Sequence, residues 1–554
     1  MNKDGLNKEW IFMNIDPNEA RDISRATQKL IHSYQDWQKL RQPKTGVSTI
    51  HVDEVASTVA RFYEKIRMVV DWKEEHLIRR IAIERILKRR LLVNDNQYVA
   101  EPFVKELIRG GHFPNDSIPK SKIKTVQKII DKYTYIIKNS PPPPADKNRS
   151  QFFSQMVESA GCEVESTLDP ASYLKADALI EYMEKIIKKR IRIGNMAQSK
   201  TNISQETIDI QIYIAVQQAL LKLDSPIITY NLFRRYFNDW SYLSQERLGQ
   251  ITKNIHNILG NIEQHFNYVL ADKIYKTCKQ YNTPFLLLGD IVEDDPAEID
   301  EKIAYPVLLE KLYKGVYNIR FKSLKKRVRR AAVYSTLSIF MTNALSLYLL
   351  EIPLALYVIG NFNKIAMVVD IMGPTLLMAL LVVTIRLPKK DNFRLVMEEA
   401  YKNIYLEESE DIYEIELYPK KSFAFTIVSG LLYLVSFVAV FGLIIWVFWS
   451  VNFPPFSYII NIVFTSLIAF AGTIIRQRAR ELHVTEERGR FFHIIIEPIS
   501  IPIIRVGKWL ASRWKRINIV AVFFSLLIDT PFLLFAEFLE QWRYFLKEKR
   551  EDIR

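Results

Sequence analysis

The stretch of residues 322–387 decides the fold of this chain. It begins KSLKKRVRR (322–330) and runs directly into the apolar segment AAVYSTLSIFMTNALSLYLL (331–350). A second apolar segment, 365–387, follows after a short connector. A helix of about 20 apolar residues crosses the roughly 30 Å hydrocarbon core of a bilayer. The stretch therefore predicts a membrane-spanning hairpin with a basic collar in front of it. The collar residues are Lys322, Lys325, Lys326, Arg327, Arg329 and Arg330.

A second hairpin is predicted farther along the chain. Apolar segments 423–451 and 457–475 complete a four-helix transmembrane domain over 331–475, with an insert at 388–422. Basic residues lie before the first span, after the second, before the third and after the fourth, whereas the two short outer connectors hold one lysine between them. Because Lys and Arg accumulate on the cytoplasmic side, we expect an integral membrane protein with a cytoplasmic N-terminus.

The residues before the first span predict a large cytoplasmic helical region. Apolar residues recur there every three or four positions, and no strand alternation of any length is visible, so the fold class is all-α. Four consecutive prolines at 141–144 cannot continue a helix and are typical of a stiff spacer. We therefore expect a helical domain at 1–140, a linker at 141–150, a second helical domain at 151–290 and a connecting helix with the collar at 291–330.

The tail, residues 476–554, does not have the pattern of a simple span. Residues 503–517 mix Trp509, Leu510 and Trp514 with basic side chains, which is typical of a helix lying in the membrane interface. Residues 519–539 are long enough to cross, but basic clusters flank both ends and Asp529-Thr530-Pro531 interrupts the middle. We expect interfacial and re-entrant helices that leave the C-terminus inside.

Charge and cysteine content narrow the function classes. Of the net charge of +14, residues 331–554 carry +2 (23 Lys and Arg against 21 Asp and Glu), which leaves +12 before them. With a membrane domain on the same chain, the anionic inner leaflet is the favoured polyanion, and nucleic acid is the less favoured one. Two distant cysteines, Cys162 and Cys278, form no disulfide scaffold and no thiolate zinc site.

Five segments resemble a known group of proteins. They are YNTPFLLLGD (281–290), AAVYSTLSIF (331–340), RQRARE (476–481), WLASRW (509–514) and DTPF (529–532). They look like segments of an uncharacterised family of polytopic membrane proteins from small-genome, candidate-phylum bacteria. That family has no assigned activity, so the resemblance implies a bacterial inner membrane and carries over no catalytic or binding residue.

No sequence motif points to catalysis or to a cofactor. The chain lacks a glycine-rich phosphate loop, a nucleophile elbow, an H-E-x-x-H helix and an EF-hand loop, and its eight histidines are scattered. The remaining candidates are polar residues inside apolar segments, because such residues are costly in a membrane. They are Asn343, Asp370 (just before Gly373-Pro374) and Asp529.

Two functions remain open from the sequence. The favoured one is a non-enzymatic scaffold whose cytoplasmic platform binds protein partners and the inner leaflet, without a cofactor; a homo-oligomer also stays open. The alternative is an ion or small-solute channel or transporter that uses Asp370. Against it, Asp370 lies close to Lys364 along the second span, where hydration or pairing would account for it.

Overall fold

The fold is mostly helical, as the sequence predicts. The computed structural model describes residues 19–42, 46–53, 58, 75–93, 98–145, 147–194, 204–354, 357, 364–385, 387–388, 391–406, 413–415, 423–450, 455–484, 490–516, 538, 542 and 545. The helices before residue 306 are called the helical body. They are α1 (Arg25–Arg41), α2 (Glu75–Val93), α3 (Ala100–Arg109), α4 (Ser121–Asn139), α5 (Arg149–Leu168), α6 (Pro170–Arg190), α7 (Gln205–Leu220), α8 (Ser225–Tyr236), α9 (Gln245–Phe266), α10 (Ala271–Gln280), α11 (Asn282–Asp294) and α12 (Ile299–Ala304).

Six further helices of more than ten residues are described in the second half of the chain. They are α13 (Pro306–Ser346), α14 (Lys364–Val383), α15 (Asp391–Tyr405), α16 (Phe423–Ser450), α17 (Pro455–Ala479) and α18 (Arg490–Arg516). A π-helical turn, Leu347–Glu351, continues α13 at its C-terminal end. At 1.5 Å per residue, the 41 residues of α13 span roughly 60 Å.

The helical body contains two separate hydrophobic cores. The first core joins α2, α3, α4, α5, α7, α8 and α9, and it includes Ile83, Phe103, Ile130, Met156 and Ile255. Residues on both sides of the proline run 141–144 belong to this one core. The predicted division between domains 1–140 and 151–290 is therefore not the division between the two cores, because the proline segment connects helices that pack against each other.

The second core extends beyond the helical body. It combines Leu30 of α1 and Met183 of α6 with Tyr313 of α13, Ala400 of α15 and Leu482 after α17. Helices that the sequence assigns to the soluble half thus share buried contacts with three segments that adjoin the apolar helices. The predicted connecting helix at 291–330 is divided: α11 and α12 end before α13 begins at Pro306.

Local sequence explains where several helices begin. Pro170 occupies the first turn of α6, and the side chain of Asp169 accepts a hydrogen bond from the backbone N–H of Ser172 at 3.2 Å. Asn148 and Gln151 cap α5 reciprocally in the same way. Each cap accepts a hydrogen bond from a backbone N–H in the first turn, which has no acceptor within the helix. Proline has no N–H and therefore needs no such acceptor. These caps explain why α5 begins directly after Asn148 and why α6 begins directly after Asp169.

Among the described residues, three helices are long and apolar enough to cross a membrane. They are the segment Pro306–Leu349, which contains α13, and the segments Ile427–Ser450 and Tyr458–Ala479 of α16 and α17. The helix of the second predicted span, α14, has a shorter apolar stretch, Ile371–Val383, among the described residues. That span therefore stays a prediction. Helices α13, α14 and α17 pack around Met378, Ile468 and Ile475.

Two short strands were missed by the all-α prediction. Strand β1 (Ile191–Ile193) follows α6 directly and pairs in parallel with β2 (Tyr413–Ile415) of the predicted insert. Three residues are too few to show the period-2 alternation by which a strand is recognised in sequence. The pair ties the insert to the helical body, because Ile191 and Ile415 are both buried in the second core.

The tail contains a longer helix than its composition suggests. Prolines inside a helical segment usually mark a break, but helix α18 continues through Pro498 and Pro502 and packs along α17. Gly507 explains the close packing: a Cβ added there would overlap the Ser466 carbonyl oxygen and lie 2.9 Å from Phe470 Cβ. A missing side chain has no signature in hydropathy, so the sequence gives no sign of this contact, and the interfacial position of the helix stays a prediction. Residues 519–537 lie outside the described part of the chain.

The close packing at Gly507 predicts that Gly507→Ala destabilises the protein, whereas Gly442→Ala does not. No atom lies within 4 Å of a Cβ at Gly442, so alanine there only favours the helix. Overpacking at Gly507 is expected to cost about 1–3 kcal/mol. Thermal unfolding of the two full-length variants in detergent is the measurement. Equal melting temperatures would contradict the close α17–α18 contact.

Candidate functional site

The basic collar lies on α13 between the part of the helix that packs in the second core and the part that packs against the other apolar helices. All six collar residues are exposed, whereas Leu324, between Lys322 and Lys325, is buried in the second core. Val328 contacts both the second core and the core of the apolar helices. The collar spans about 12 Å of helix rise, so its charges lie close to where the apolar segment begins. The six residues are thus brought together as the sequence predicts.

Glu481 is the acidic partner of this basic region. Its carboxylate oxygens lie 2.7 Å from Lys222 Nζ of the helical body and 3.1 Å from Arg327 Nη2 of the collar. Burial alone would raise the pKa of Glu481. The hydrogen bond from Lys222 and the positive charges of Arg327 and Arg320 outweigh that effect and hold the pKa below its ordinary value. The carboxylate therefore stays ionised and joins three chain segments.

Asn392 makes a second connection at the same place. Its Nδ2 donates to the Leu482 carbonyl oxygen at 2.7 Å and to the Tyr317 hydroxyl at 3.2 Å. Its Oδ1 accepts from the Val484 backbone N–H at 3.1 Å. Asn392 is buried, and a buried amide that is satisfied on both atoms fixes the register of the groups it bonds. The predicted insert, α13 and the segment after α17 are thus held together.

Arg320, two residues before the collar, adds a bidentate ion pair. Its Nη2 lies 2.7 Å from Asp290 Oδ1, and its Nε contacts the other carboxylate oxygen. Asp290 belongs to α11, so this pair joins the helical body to α13. Paired N–H donors that meet both oxygens of a carboxylate restrict orientation as well as distance. Together with Glu481 and Asn392, Arg320 forms what we call the junction.

The predicted intramembrane residues are not brought together by the described part of the chain. Asn343 lies in α13 and is only 4% exposed, and neither its Oδ1 nor its Nδ2 has a hydrogen-bond partner among the described residues. Asp370 belongs to α14, but its side chain lies outside the described structure. Asp529 lies outside the described residues altogether. Asn343 is therefore the one predicted polar candidate whose surroundings are described.

A buried polar network lies in the first core, away from the junction. Lys132 Nζ contacts Glu163 at 2.6 Å and donates to the Trp240 carbonyl oxygen, and the Trp240 indole N–H also reaches Glu163. Burial lowers the pKa of Lys132, and the Glu163 carboxylate opposes that change. Every polar group named here has a partner, so the network is a structural part of the core. It could not be recognised in the sequence, because its members are up to about a hundred residues apart.

One surface cleft of about 420 Å³ opens beside the proline run. Its lining includes Lys147, Phe152, His256 and Glu263. The His256 Nε2 atom lies 2.8 Å from the Pro141 carbonyl oxygen, and Lys147 pairs with Glu263. These contacts hold the proline segment against α9. Among the described residues, no three His, Cys, Asp or Glu side chains are grouped as metal ligands would be.

The chain has no match among protein-family models, curated proteins or solved structures. The proposals below therefore rest on its own residues. Sequence reasoning identified the collar but missed Asn392 and the role of Glu481. The acidic residue that follows three arginines in RQRARE was a signal for the latter, whereas a single asparagine in an amphipathic helix gave none.

The junction predicts that Asn392→Leu is costly. Loss of the amide leaves the Leu482 carbonyl and the Val484 N–H without this buried partner, which is expected to lower the free energy of unfolding by about 2–4 kcal/mol. The matched control is Asn318→Leu, at an exposed position of α13, where the expected change is within about 0.5 kcal/mol. Hydrogen exchange should rise at 482–484 in the first variant only. Unchanged exchange there would contradict the role of Asn392.

Proposed function

We propose that this chain is an integral inner-membrane protein whose helical body is a cytoplasmic platform for protein partners. The observation that carries the proposal is the continuity of α13. Tyr313 and Leu324 are buried in the second core, and the same helix continues into the apolar segment that ends at Leu349. A platform attached in this way is held at a fixed distance from the bilayer.

The junction supports a rigid attachment over a flexible tether. Three separate segments of the chain pass between the apolar helices and the second core, through α13, α15 and the residues after α17. Asn392 and Glu481 bond these segments to one another. A protein that is only anchored to a membrane does not need a rigid attachment, whereas a protein that presents a binding surface benefits from one. The architecture therefore favours a scaffold whose helical body binds partners through its surface.

The collar supports contact with an anionic inner leaflet and a cytoplasmic N-terminus. Arg476, Arg478 and Arg480 at the end of α17 are exposed, like the collar residues. Each basic residue near an anionic membrane surface contributes on the order of 1 kcal/mol at physiological salt. Such clusters accumulate on the cytoplasmic side of membrane proteins, so the collar both orients the chain and binds lipid headgroups.

Exposed aromatic and aliphatic side chains of the body are the candidate contacts for partners. Tyr98 is 84% exposed, Tyr242 is 89% exposed and Val269 is 76% exposed. Large side chains of this kind dominate the binding energy of many protein interfaces, tyrosine above all. No catalytic constellation accompanies them in the described structure, which is why we propose binding and not turnover.

Site-specific photo-crosslinking in living cells tests the platform. A photoreactive residue is placed at Tyr98, Tyr242 or Val269, and a matched set is placed at the exposed lysines Lys128 and Lys253. We expect discrete protein adducts from at least one of the first three positions and none from the lysines. Identical weak labelling at all five positions would contradict the platform.

A second candidate is the channel or transporter that uses Asp370, and Asn343 is the observation that favours it. An amide buried in an apolar helix without a partner is unusual, because each unpaired polar atom costs free energy. Purified protein in liposomes separates the two functions. Ion flux that disappears in both Asn343→Leu and Asp370→Asn would support the channel, and absence of flux would leave the platform.

A further inference from the structure

Helix α18 reaches the middle of an apolar helix. It packs along α17, and Gly507 approaches Ser466 so closely that an added Cβ would lie 2.6 Å from the Ser466 carbonyl carbon. Ser466 is completely buried and lies near the centre of the 25-residue α17. The contact fixes the level of α18 along the membrane axis, so if α17 spans a bilayer, the part of α18 around Gly507 lies at the depth of its hydrocarbon core.

A second contact places a positive charge at this depth. The guanidinium of Arg505 lies 4.6 Å from the ring centroid of Tyr433. Tyr433 lies within the apolar segment Ile427–Ser450 of α16. Helix α18 also packs against α16, so the two contacts, made with different helices, agree on the position of α18.

The face of α18 opposite Gly507 is cationic. The exposed residues in its described C-terminal half recur every three or four positions and therefore share one face. They are Ile501, Arg505, Lys508, Trp509, Ser512 and Arg513. Residues 500–516 contain no Asp or Glu, so this stretch supplies no negative charge to balance them. We call this surface the cationic face.

Unbalanced charges at this depth are costly. Even the smallest measures give about 2.5–3.5 kcal/mol for an Arg or Lys at the centre of a membrane helix. An anion that accompanies the cations removes that cost, and phosphate suits this set well: guanidinium groups bind it with paired donors, and ammonium binds it as a point charge. The cationic face therefore calls for a phosphate held below the membrane surface.

We propose that the cationic face binds the phosphate of a phospholipid headgroup within the membrane, below the surface of the bilayer. The cationic face itself also suits the apolar part of a lipid, because it exposes Ile501 and Trp509 beside its basic residues. A free phosphate ion would leave these two apolar side chains without a partner, whereas a lipid contacts both the charges and the apolar groups. Trp509 resembles the aromatic residues that accompany headgroups at membrane interfaces.

The proposal rests on the membrane insertion proposed above, but it does not depend on the platform. It assigns to the tail a lipid site that is separate from the collar, which meets headgroups at the membrane surface. The two sites differ in depth and in sequence position. The control variant therefore removes two positive charges outside both sites.

Lipid retention by the full-length protein is the first test. The protein is reconstituted into nanodiscs of phosphatidylcholine with phosphatidylglycerol, extracted with mild detergent, and its retained phosphatidylglycerol is counted by native mass spectrometry. We expect the double variant Arg505→Gln/Lys508→Gln to lose at least five-fold in retained lipid. The charge-matched control Lys128→Gln/Lys253→Gln, at exposed positions of the helical body, should retain the wild-type amount, and an excess of inorganic phosphate should not displace the lipid.

The depth of the phosphate is the second test. A nitroxide is attached at Val438→Cys, an exposed position of α16, while the native Cys162 and Cys278 are buried. We expect the label to broaden the phosphorus-31 signal of retained lipid in the wild-type background and not in Arg505→Gln/Lys508→Gln. Equal lipid retention in both double variants, or no broadening, would overturn the proposal.

Alkaline extraction of membranes separates this failure from that of the proposed function. If the chain stays in the membrane pellet while lipid retention is insensitive to Arg505 and Lys508, only the lipid site is refuted. If the chain is released as a peripheral protein, both the membrane insertion and the lipid site fall.

Discussion

The rest of the structure depends on helix α13 being continuous. Its first half supplies Tyr313, Tyr317 and Leu324 to the second core, and its second half supplies an apolar surface long enough to cross a bilayer. Consecutive hydrogen bonds between residues four apart make such a helix stiff. A flexible link between Pro306 and Ser346 would separate the two halves of the molecule, whereas the continuous helix makes their relative position a property of the fold.

The junction strengthens this constraint at the one level where all the connecting segments meet. Asn392 bonds α15 to the residues after α17, Glu481 bonds those residues to the collar and to Lys222, and Arg320 bonds α13 to α11. The ion pairs are partly exposed and contribute roughly 0–1 kcal/mol each, whereas the buried Asn392 satisfies backbone groups that would be costly to leave unpaired. The concentration of these contacts here shows that the orientation of the body is determined by specific contacts as well as by packing.

Most of the collar remains available to contact lipid headgroups, because only one of its residues takes part in the junction. Arg327 is the collar residue that pairs with Glu481, and the other five are exposed side chains on a helix whose opposite side is buried. The structure therefore separates two tasks on one helix. The buried side attaches the body, and the exposed side presents positive charge where the apolar segment begins. This separation underlies the proposal that the collar contacts an anionic leaflet.

Sequence patterns predicted those features that depend on long periodic segments. The helical fold, the apolar segments of α13, α16 and α17, and the collar all follow from hydropathy and charge over many residues. Features made by contacts between distant residues could not be predicted. The strand pair at Ile191 and Tyr413 is only three residues long, and the first core crosses the proline run that indicated a domain boundary.

The tail shows most clearly why the remaining features were missed. Its mixed composition is typical of an interfacial helix, and its prolines indicate breaks, yet α18 is continuous and packs along α17. The decisive residue is Gly507, which acts through the absence of a side chain. Close helix packing through small residues is a property of the pair of helices. Such packing can be recognised only when the positions of both helices are known.

The distance between spin labels at Lys311 and Tyr334 tests the central claim most directly. Both residues are exposed on α13, one beside the helical body and one in the apolar segment. For full-length protein in a bilayer, a continuous helix predicts a narrow distribution near about 35 Å. A broad distribution, or one centred well below about 30 Å, would show that the helix breaks between body and membrane and would contradict the account.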